Sequence, residues 1–371
     1  MKAVKEVIVF TVGDATKIST WSNVPYFFTT TLEKQGVKVI RINLQESKNL
    51  KLLHFFCFGW MVKFFFKKSA YTYYRSALNN WDTNRKIKKA VAANANADLH
   101  VFLTFSFSSK PFTNKPVLLF GDWTYDHQLN YFAARKPYGF EQRSVNRENS
   151  CIENADAVVV LFPKVAAYMK EKYSNKNIHY LGNVINSNAD EIISDVSKRT
   201  NSVVFIGATK YLDGLNDLIK AIEKLNTSGT KIDLQVIGIS ANEVGEQHAF
   251  VKYHGYLDKG DTEQRKKYYN ILNGAKVFVN TNEKWASFSA SIEAMHHYVP
   301  VIVPPYPEFV ETFGEQINFG KYCKQTDDLS KVILDVLSSS DYTTLCNNAH
   351  DAVKDFTWDK YIGKVLGVLK E

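Results

Sequence analysis

Short apolar runs recur along the first half of the chain, each followed by a polar or glycine turn and then a helical pattern. They are Val7–Val12, Val37–Ile42, Leu99–Phe105, Val117–Phe120, Ala157–Leu161 and Ile178–Leu181. That alternation predicts a parallel α/β sheet. A polar connector, Asn186–Asn201, interrupts the rhythm, which restarts with Val203–Ile206, Leu234–Ile237, Val277–Val279 and Val301–Val303. The restart predicts a second α/β domain, with the boundary in the connector. In that second set, Val203–Gly207 leads through a polar turn into a helix over Asp217–Asn226, whose apolar face is Leu218, Ile219, Ile222 and Leu225. Ligands of doubly wound sheets sit beyond the carboxyl ends of the strands, so the loops after residues 12, 105, 120, 207, 238 and 280 are expected to hold the functional groups.

Length agrees with this division, since 371 residues exceed the ~250–300 at which single cores stop growing. A hydrophobic content of 45% with 23% charged residues is ordinary for a globular chain. Met1–Phe10 runs straight into a strand-like apolar stretch and is read as part of the sheet, not as an export leader. The longest apolar run, Leu52–Phe66, contains His54 and Lys63 and falls short of the ~20 residues a membrane span needs. Cys57, Cys151, Cys323 and Cys346 lack the C-x-x-C spacing of a zinc or redox pair and read as reduced residues of a cytoplasmic protein.

Charge changes the picture more. Residues 1–180 hold 26 Lys+Arg against 13 Asp+Glu, whereas residues 181–371 hold 20 against 25. A basic first half suits an anionic partner such as lipid headgroups or a phosphorylated acceptor; a well-solvated surface is the alternative. The basic residues concentrate over 63–89, where eight Lys/Arg stand against the single acid Asp82 and are interleaved with Phe64, Phe65, Phe66, Tyr71, Tyr73, Tyr74 and Trp81. This composition suits an anionic membrane surface, and the expected location is cytoplasmic, peripheral on the inner face of the membrane. The aromatics filling the N-terminal core is the competing reading.

The segment from Asn280 to Thr312 carries the most specific chemistry. Its Glu293-Ala294-Met295, Val299-Pro300-Val301-Ile302 and Pro307-Glu308 resemble the E-x7-E-A-M, G-x-P-V-I and G-G-x-P-E pattern of the retaining GT-B glycosyltransferases of family 4. The resemblance implies that Glu293 accepts hydrogen bonds from the ribose hydroxyls of a nucleotide sugar, a task for a carboxylate facing two neighbouring donors. Glu308 falls in the donor turn of the same pattern. Backbone donors for the diphosphate would be Ser287, Phe288 and Ser289 at a helix N-terminus. The family's first glutamate falls on Trp285, with Glu283 two residues upstream; either Glu283 enters the site through a bulge, or Trp285 stacks on the sugar, or Glu283 is a salt-bridged surface residue.

Phe205-Ile206-Gly207 followed by Asp213-Gly214-Leu215 resembles the family's F-V-G-R…K-G turn, with Ala208 and Asp213 standing where the two cations belong. Gly207 keeps its place, and Lys210 is the candidate replacement cation. Val251–Leu257 resembles the strand whose loop covers the base, which implies Tyr256 and Leu257 as base contacts. Near the N-terminus, Asp14 and the run from Thr20 to Tyr26 resemble the family's T-W-S-G-x-P loop, with Ser22 and Asn23 toward phosphate or acceptor. Gly121–His127 resembles its D-x-T loop and supplies Asp122 and His127 as acceptor-side acid/base candidates, His127 being alternatively a surface helix residue.

The resemblance thus implies an α/β, GT-B fold: two Rossmann-like domains facing each other across a cleft, with a C-terminal helix crossing back to the N-terminal domain. The expected parts are an acceptor domain over 1–185, a donor domain over 186–355 and the returning helix over 356–371. It implies a glycosyltransferase acting on a glycan or lipid-linked acceptor in polysaccharide biosynthesis, with no metal and no cofactor beyond the nucleoside-diphosphate sugar itself. Asp122 to Asp126 has the wrong spacing for a metal-binding D-x-D, no nucleic-acid partner is indicated, and the absence of an early G-x-G-x-x-G disfavours dinucleotide chemistry. A weakly active or inactive sugar-binding partner on the same scaffold is the alternative, because the first glutamate, the arginine and the lysine are replaced; an inverting transferase, or a non-transferase such as a nucleotide-sugar epimerase on a similar double frame, is a third reading.

Overall fold

The computed structural model describes residues 4–131, 133–187, 192–282, 288–325 and 327–369. Two compact units form: residues 1–183 together with 358–371, and residues 184–357.

In the first unit, β1 (Glu6–Thr11), β2 (Lys38–Asn43), β3 (Leu99–Phe102), β4 (Val117–Gly121), β5 (Ala157–Val160) and β6 (Ile178–Tyr180) build a sheet of order β2-β1-β3-β4-β5-β6. Every pairing is parallel. The central strands are apolar and buried on both faces, which is what crossover helices on each side of a parallel sheet require. Ile8, Phe10, Phe102, Leu119 and Val158 form its core with Ile87, Ile152 and Met169 from the covering helices. Caps fix the helix starts: the Ser76 hydroxyl accepts from the Asn79 N–H at 3.0 Å ahead of Ala77–Ala93. The last helix, Trp358–Gly367, belongs to this unit, with the Trp358 ring 6.3 Å from Phe27 and the Tyr361 ring 6.1 Å from Phe120.

In the second unit, β7 (Ser202–Ile206), β8 (Asp233–Ile237), β9 (Val251–Tyr253), β10 (Val277–Val279), β11 (Val301–Val303) and β12 (Gly320–Tyr322) form another parallel sheet, of order β12-β11-β10-β7-β8-β9. Counted within the unit this is the 3-2-1-4-5-6 order of a dinucleotide-type doubly wound sheet. The helix expected over 217–226 runs from Leu212 to Thr227, and Leu218, Ile219, Ile222 and Leu225 are buried on it as the periodicity requires. It starts earlier than expected, with Gly214 in its first turn. A Cβ there would stand 3.1 Å from the Asn282 N, so a glycine lets the helix approach the loop beyond β10.

Candidate functional site

Each sheet reverses its strand order once, between β1 and β3 in the first unit and between β7 and β10 in the second. Those reversals are where doubly wound folds open a crevice.

At the first reversal a cavity of about 320 Å³ is lined by Thr11, Trp21, Thr104, Ser106, Asp122 and Glu148, among others. Its charged wall is an ion pair that the sequence did not reveal: Arg75 Nη1 lies 2.5 Å from Glu148 Oε2, with the two side chains 14% and 3% exposed. Ser106 Oγ donates to the same carboxylate oxygen at 2.6 Å, the Tyr125 N–H donates to the other, and the guanidinium lies 4.1 Å from the Tyr125 ring centroid. Donors on every side fix the carboxylate, so the pair can present one orientation to a hydroxyl-bearing ligand. The partners lie 73 residues apart, beyond the reach of any local pattern.

Asp122 lines this cavity, and its Oδ1 accepts the Trp123 N–H at 2.8 Å. His127 goes elsewhere. Its ring stacks with Trp123 at 5.3 Å and Tyr131 at 5.9 Å and packs against Tyr168 at 4.4 Å, and burial holds the imidazole below its ordinary pKa. The expected Asp122–His127 grouping is therefore not what forms; one turn of helix carries His127 into an aromatic stack. The neighbouring Asp126 accepts from Tyr168 and Lys172.

The loop from Thr20 to Asn23 is contorted: Trp21, Ser22 and Asn23 have φ of 35°, 52° and 71°. Asn23 stands where the resembling pattern has glycine, and both residues tolerate the left-handed conformation this position takes. Asp14 is tied locally, its carboxylate accepting from the Thr16 N–H at 2.9 Å and hydroxyl at 2.7 Å, bonds that lower its pKa. Trp21 and Pro25 line the cavity, whereas Asp14, Ser22 and Asn23 are not among its lining residues.

At the second reversal three strand-end loops meet through glycines. Gly207 donates its N–H to the Ile237 carbonyl at 3.0 Å, and Gly238 donates to the Gly255 carbonyl at 2.7 Å. Gly238 has φ of +96°, and a Cβ on it would fall 2.4 Å from the Gly207 oxygen. Glu243 bridges two of these loops, accepting from Ser240 at 2.7 Å and from Thr209 at 2.7 Å, and those bonds draw its carboxyl down to about 2. Lys210 is exposed beside them, its ammonium 5.1 Å from the Tyr211 ring. A cavity of about 440 Å³ next to Gly214 and Asn282 is lined by Asp213, Asp217 and Asp327 as well as Lys324.

Glu293 lies on the helix Phe288–His296 and is 6% exposed. Its Oε1 accepts from Lys259 at 2.5 Å and from the Tyr269 hydroxyl at 3.1 Å, and its Oε2 accepts from the Tyr268 hydroxyl at 2.9 Å. Lys259 is the residue that sequence reading missed; it follows the strand-like Val251–Leu257 segment by two positions, the one signal available. Tyr256 is 70% exposed and Leu257 buried, so of the two expected base contacts only Tyr256 offers a ring to solvent. Phe288 is buried against Phe309 and Phe313, Ser289 is exposed, and Glu308 is buried in the first turn of the helix Pro307–Phe313. Glu283, Trp285 and Ser287 lie outside the described residues. Among the described residues no group of three or more His, Cys, Asp or Glu is arranged to hold a metal ion.

Two doubly wound parallel sheets in one chain, each with its crevice at a strand reversal, define the GT-B fold of glycosyltransferases, and the chain has that fold. It is similar over nearly its whole length to sucrose-phosphate synthase from Thermosynechococcus elongatus, with 15% identity, a TM-score of 0.69, and 99% of this chain and 98% of that one covered. It is similar also to WaaG, a glycosyltransferase involved in lipopolysaccharide biosynthesis, with 13% identity, a TM-score of 0.66 and coverage of 98% and 99%. Anabaena HepE, solved with UDP and glucose, matches with 14% identity, a TM-score of 0.62 and both chains covered in full. No protein-family profile matches the sequence, and no curated protein does.

Proposed function

We propose that the chain is a glycosyltransferase that moves a sugar from a nucleoside-diphosphate sugar to a hydroxyl of a glycan or lipid-linked acceptor, with retention of anomeric configuration and without a metal. The observation that carries this reading is the Glu293 carboxylate, buried on the helix after β10 and oriented by Lys259, Tyr268 and Tyr269. A carboxylate has about four acceptor sites, so its three protein donors leave room for one ribose hydroxyl.

In this reading the second unit binds the donor. The glycine-lined strand ends give backbone access to the diphosphate, while Lys210 and the helix beginning at Phe288 supply positive charge and N–H dipoles. The first unit binds the acceptor, with Asp122 orienting its hydroxyl. Transfer proceeds at the front face: the departing diphosphate takes the acceptor proton, and fixed dipoles stabilise the charge that develops on it. Anabaena HepE, which holds UDP and glucose on the same fold, supports the donor class.

The test is a thermal-shift series against nucleoside-diphosphate sugars. A true donor at 100 times its Kd adds about 2.7 kcal/mol to stability. Glu293→Gln is expected to raise that donor's Kd roughly tenfold to a hundredfold, matching the ~1.5–3 kcal/mol of a hydrogen bond to a charged group, and NMR of the product gives the anomeric outcome. If no nucleotide sugar stabilises the protein, the reading fails.

A further inference from the structure

An exposed apolar feature of the first unit shares no residue with the cavity at that unit's strand reversal. An α-helix Lys48–His54, a π-helical turn Phe55–Gly59 and an α-helix Trp60–Phe65 run on from one another, and of these residues only Val62 is buried. Twelve large hydrophobic side chains are exposed among the described residues, and seven of them are here: Leu52, Leu53, Phe55, Phe56, Trp60, Phe64 and Phe65. Phe56, Phe64 and Phe65 are 67%, 67% and 72% exposed. Scattered apolar residues on a surface need no explanation, but a contiguous patch of this size marks an interaction site.

Charge identifies the partner. Between residues 48 and 68 there are five lysines, at 48, 51, 63, 67 and 68, and no acid; all five are exposed. A cavity of about 590 Å³ is lined by Leu52, Phe55, Val62, Phe66 and Tyr73 together with Lys48, Lys51, Lys63 and Lys67. An apolar lining with exposed lysines matches the two parts of an anionic lipid, chain and headgroup. A second copy of this chain is a poor occupant, because a two-fold contact would set five lysines against five. The segment is also too short and too charged to span, and no helix of the described residues is long and apolar enough to cross a membrane.

We propose that Lys48–Phe65 docks the protein on an anionic bilayer, with Phe56, Phe64 and Phe65 entering the acyl boundary, the lysines engaging headgroups, and the cavity receiving one lipid chain. The docking patch thus extends upstream of the 63–89 stretch that composition singles out and shares only its first residues. There Tyr73 is buried and Tyr71 and Tyr74 are half-buried, which leaves Trp81 as the exposed ring after residue 66. The proposal deepens the reading of a lipid-linked acceptor and rests on it only for its biological purpose.

The exposed thiol of Cys57 provides the probe. In a Cys151→Ser background it is labelled with an environment-sensitive dye and titrated with phosphatidylglycerol or phosphatidylcholine vesicles. Docking predicts a blue-shifted, enhanced signal and co-sedimentation with anionic vesicles, at least about tenfold weaker with neutral ones and reduced by salt. Combined Phe56→Ser, Phe64→Ser and Phe65→Ser, and separately Lys63→Glu with Lys67→Glu, are each expected to lower anionic-vesicle binding about tenfold or more with unchanged circular dichroism. No binding at low salt, or binding that both variants retain, overturns the proposal. So does a lipid-free dimer that the phenylalanine changes dissociate. Donor stabilisation measured on the same samples without lipid separates this outcome from failure of the transferase reading.

Discussion

Lys259 and Glu293 sit 34 positions apart, and each is nearly enclosed, with side chains 12% and 8% exposed. Removing one member of such a pair strands the other charge in a poorly hydrated site. Lys259→Met is therefore expected to destabilise the second unit by about 3–5 kcal/mol, read by urea unfolding; a loss below about 1 kcal/mol would mean that water already screens the pair. Glu293 was legible because the E-A-M pattern marks it, whereas Lys259 was not, since no local periodicity connects a loop lysine to a helix so far along the chain. The same holds for Arg75 and Glu148 in the first unit. Local motifs name strand-end residues such as Asp122 and Gly207; the side chains that brace them arrive from distant segments and become visible only in three dimensions. His127 shows the converse, a chemically suggestive residue that a single turn of helix diverts into an aromatic stack.

Among the elements, most strands were legible because β-branched and aromatic runs bounded by turns have few other uses: each of the ten expected runs forms a strand, β1 to β8, β10 and β11, while β9 was marked only by the resemblance of Val251–Leu257 to a family strand. β12 escaped because Gly320-Lys321-Tyr322 is short, lies at the sheet edge and has no apolar alternation. What admits it is an absent side chain: a Cβ on Gly320 would fall 2.0 Å from the Val301 carbonyl oxygen. Gly320→Ala is accordingly expected to prise β12 from β11 and lower Tm, and hydrogen exchange should report faster exchange at Cys323, whose N–H bonds the Val303 carbonyl at 2.9 Å. Unchanged protection there would contradict the account. The helical stretch from Lys48 to Phe65 escaped for the opposite reason, since its apolar residues surround it instead of forming one inward stripe, and periodicity has nothing to detect.

Across the whole molecule, the buried imidazoles of His100 and His297 and the half-buried one of His296 set an acid limit. Burial holds His297 down to about 3 and His100 and His296 to about 4. Their ordinary pKa is near 6.5, so between about pH 6.5 and 4 the unfolded chain binds protons that the folded chain refuses. Stability is complete above that window and declines as pH falls through it. Buried carboxylates act lower: burial alone would raise Glu141, but hydrogen bonds from Arg135, Ser69 and the Tyr138 N–H outweigh it and hold the carboxyl at about 2, so its contribution is lost only between about 4.5 and 2. The expected result is a Tm that already falls between pH 6.5 and 4.5, measured by scanning calorimetry; a flat profile there would show the histidines to be solvated.

The helix Trp358–Gly367 gives the first unit a history as well as a shape. Trp358 and Tyr361 cover Phe27, Phe28 and Phe120, Gln35 donates to the Asp359 carbonyl at 3.0 Å, and Lys364 reaches the Leu181 carbonyl at 3.2 Å. On the ribosome the residues up to 183 emerge before the second unit, yet the side chains that seal this part of their core are translated only after the entire second unit. At about 5–20 residues per second, the face around Phe27 and Phe120 stays uncovered for roughly ten seconds or more. During that interval the nascent chain presents a sticky aromatic surface, and the second unit, continuous in sequence, can finish folding before the first is closed.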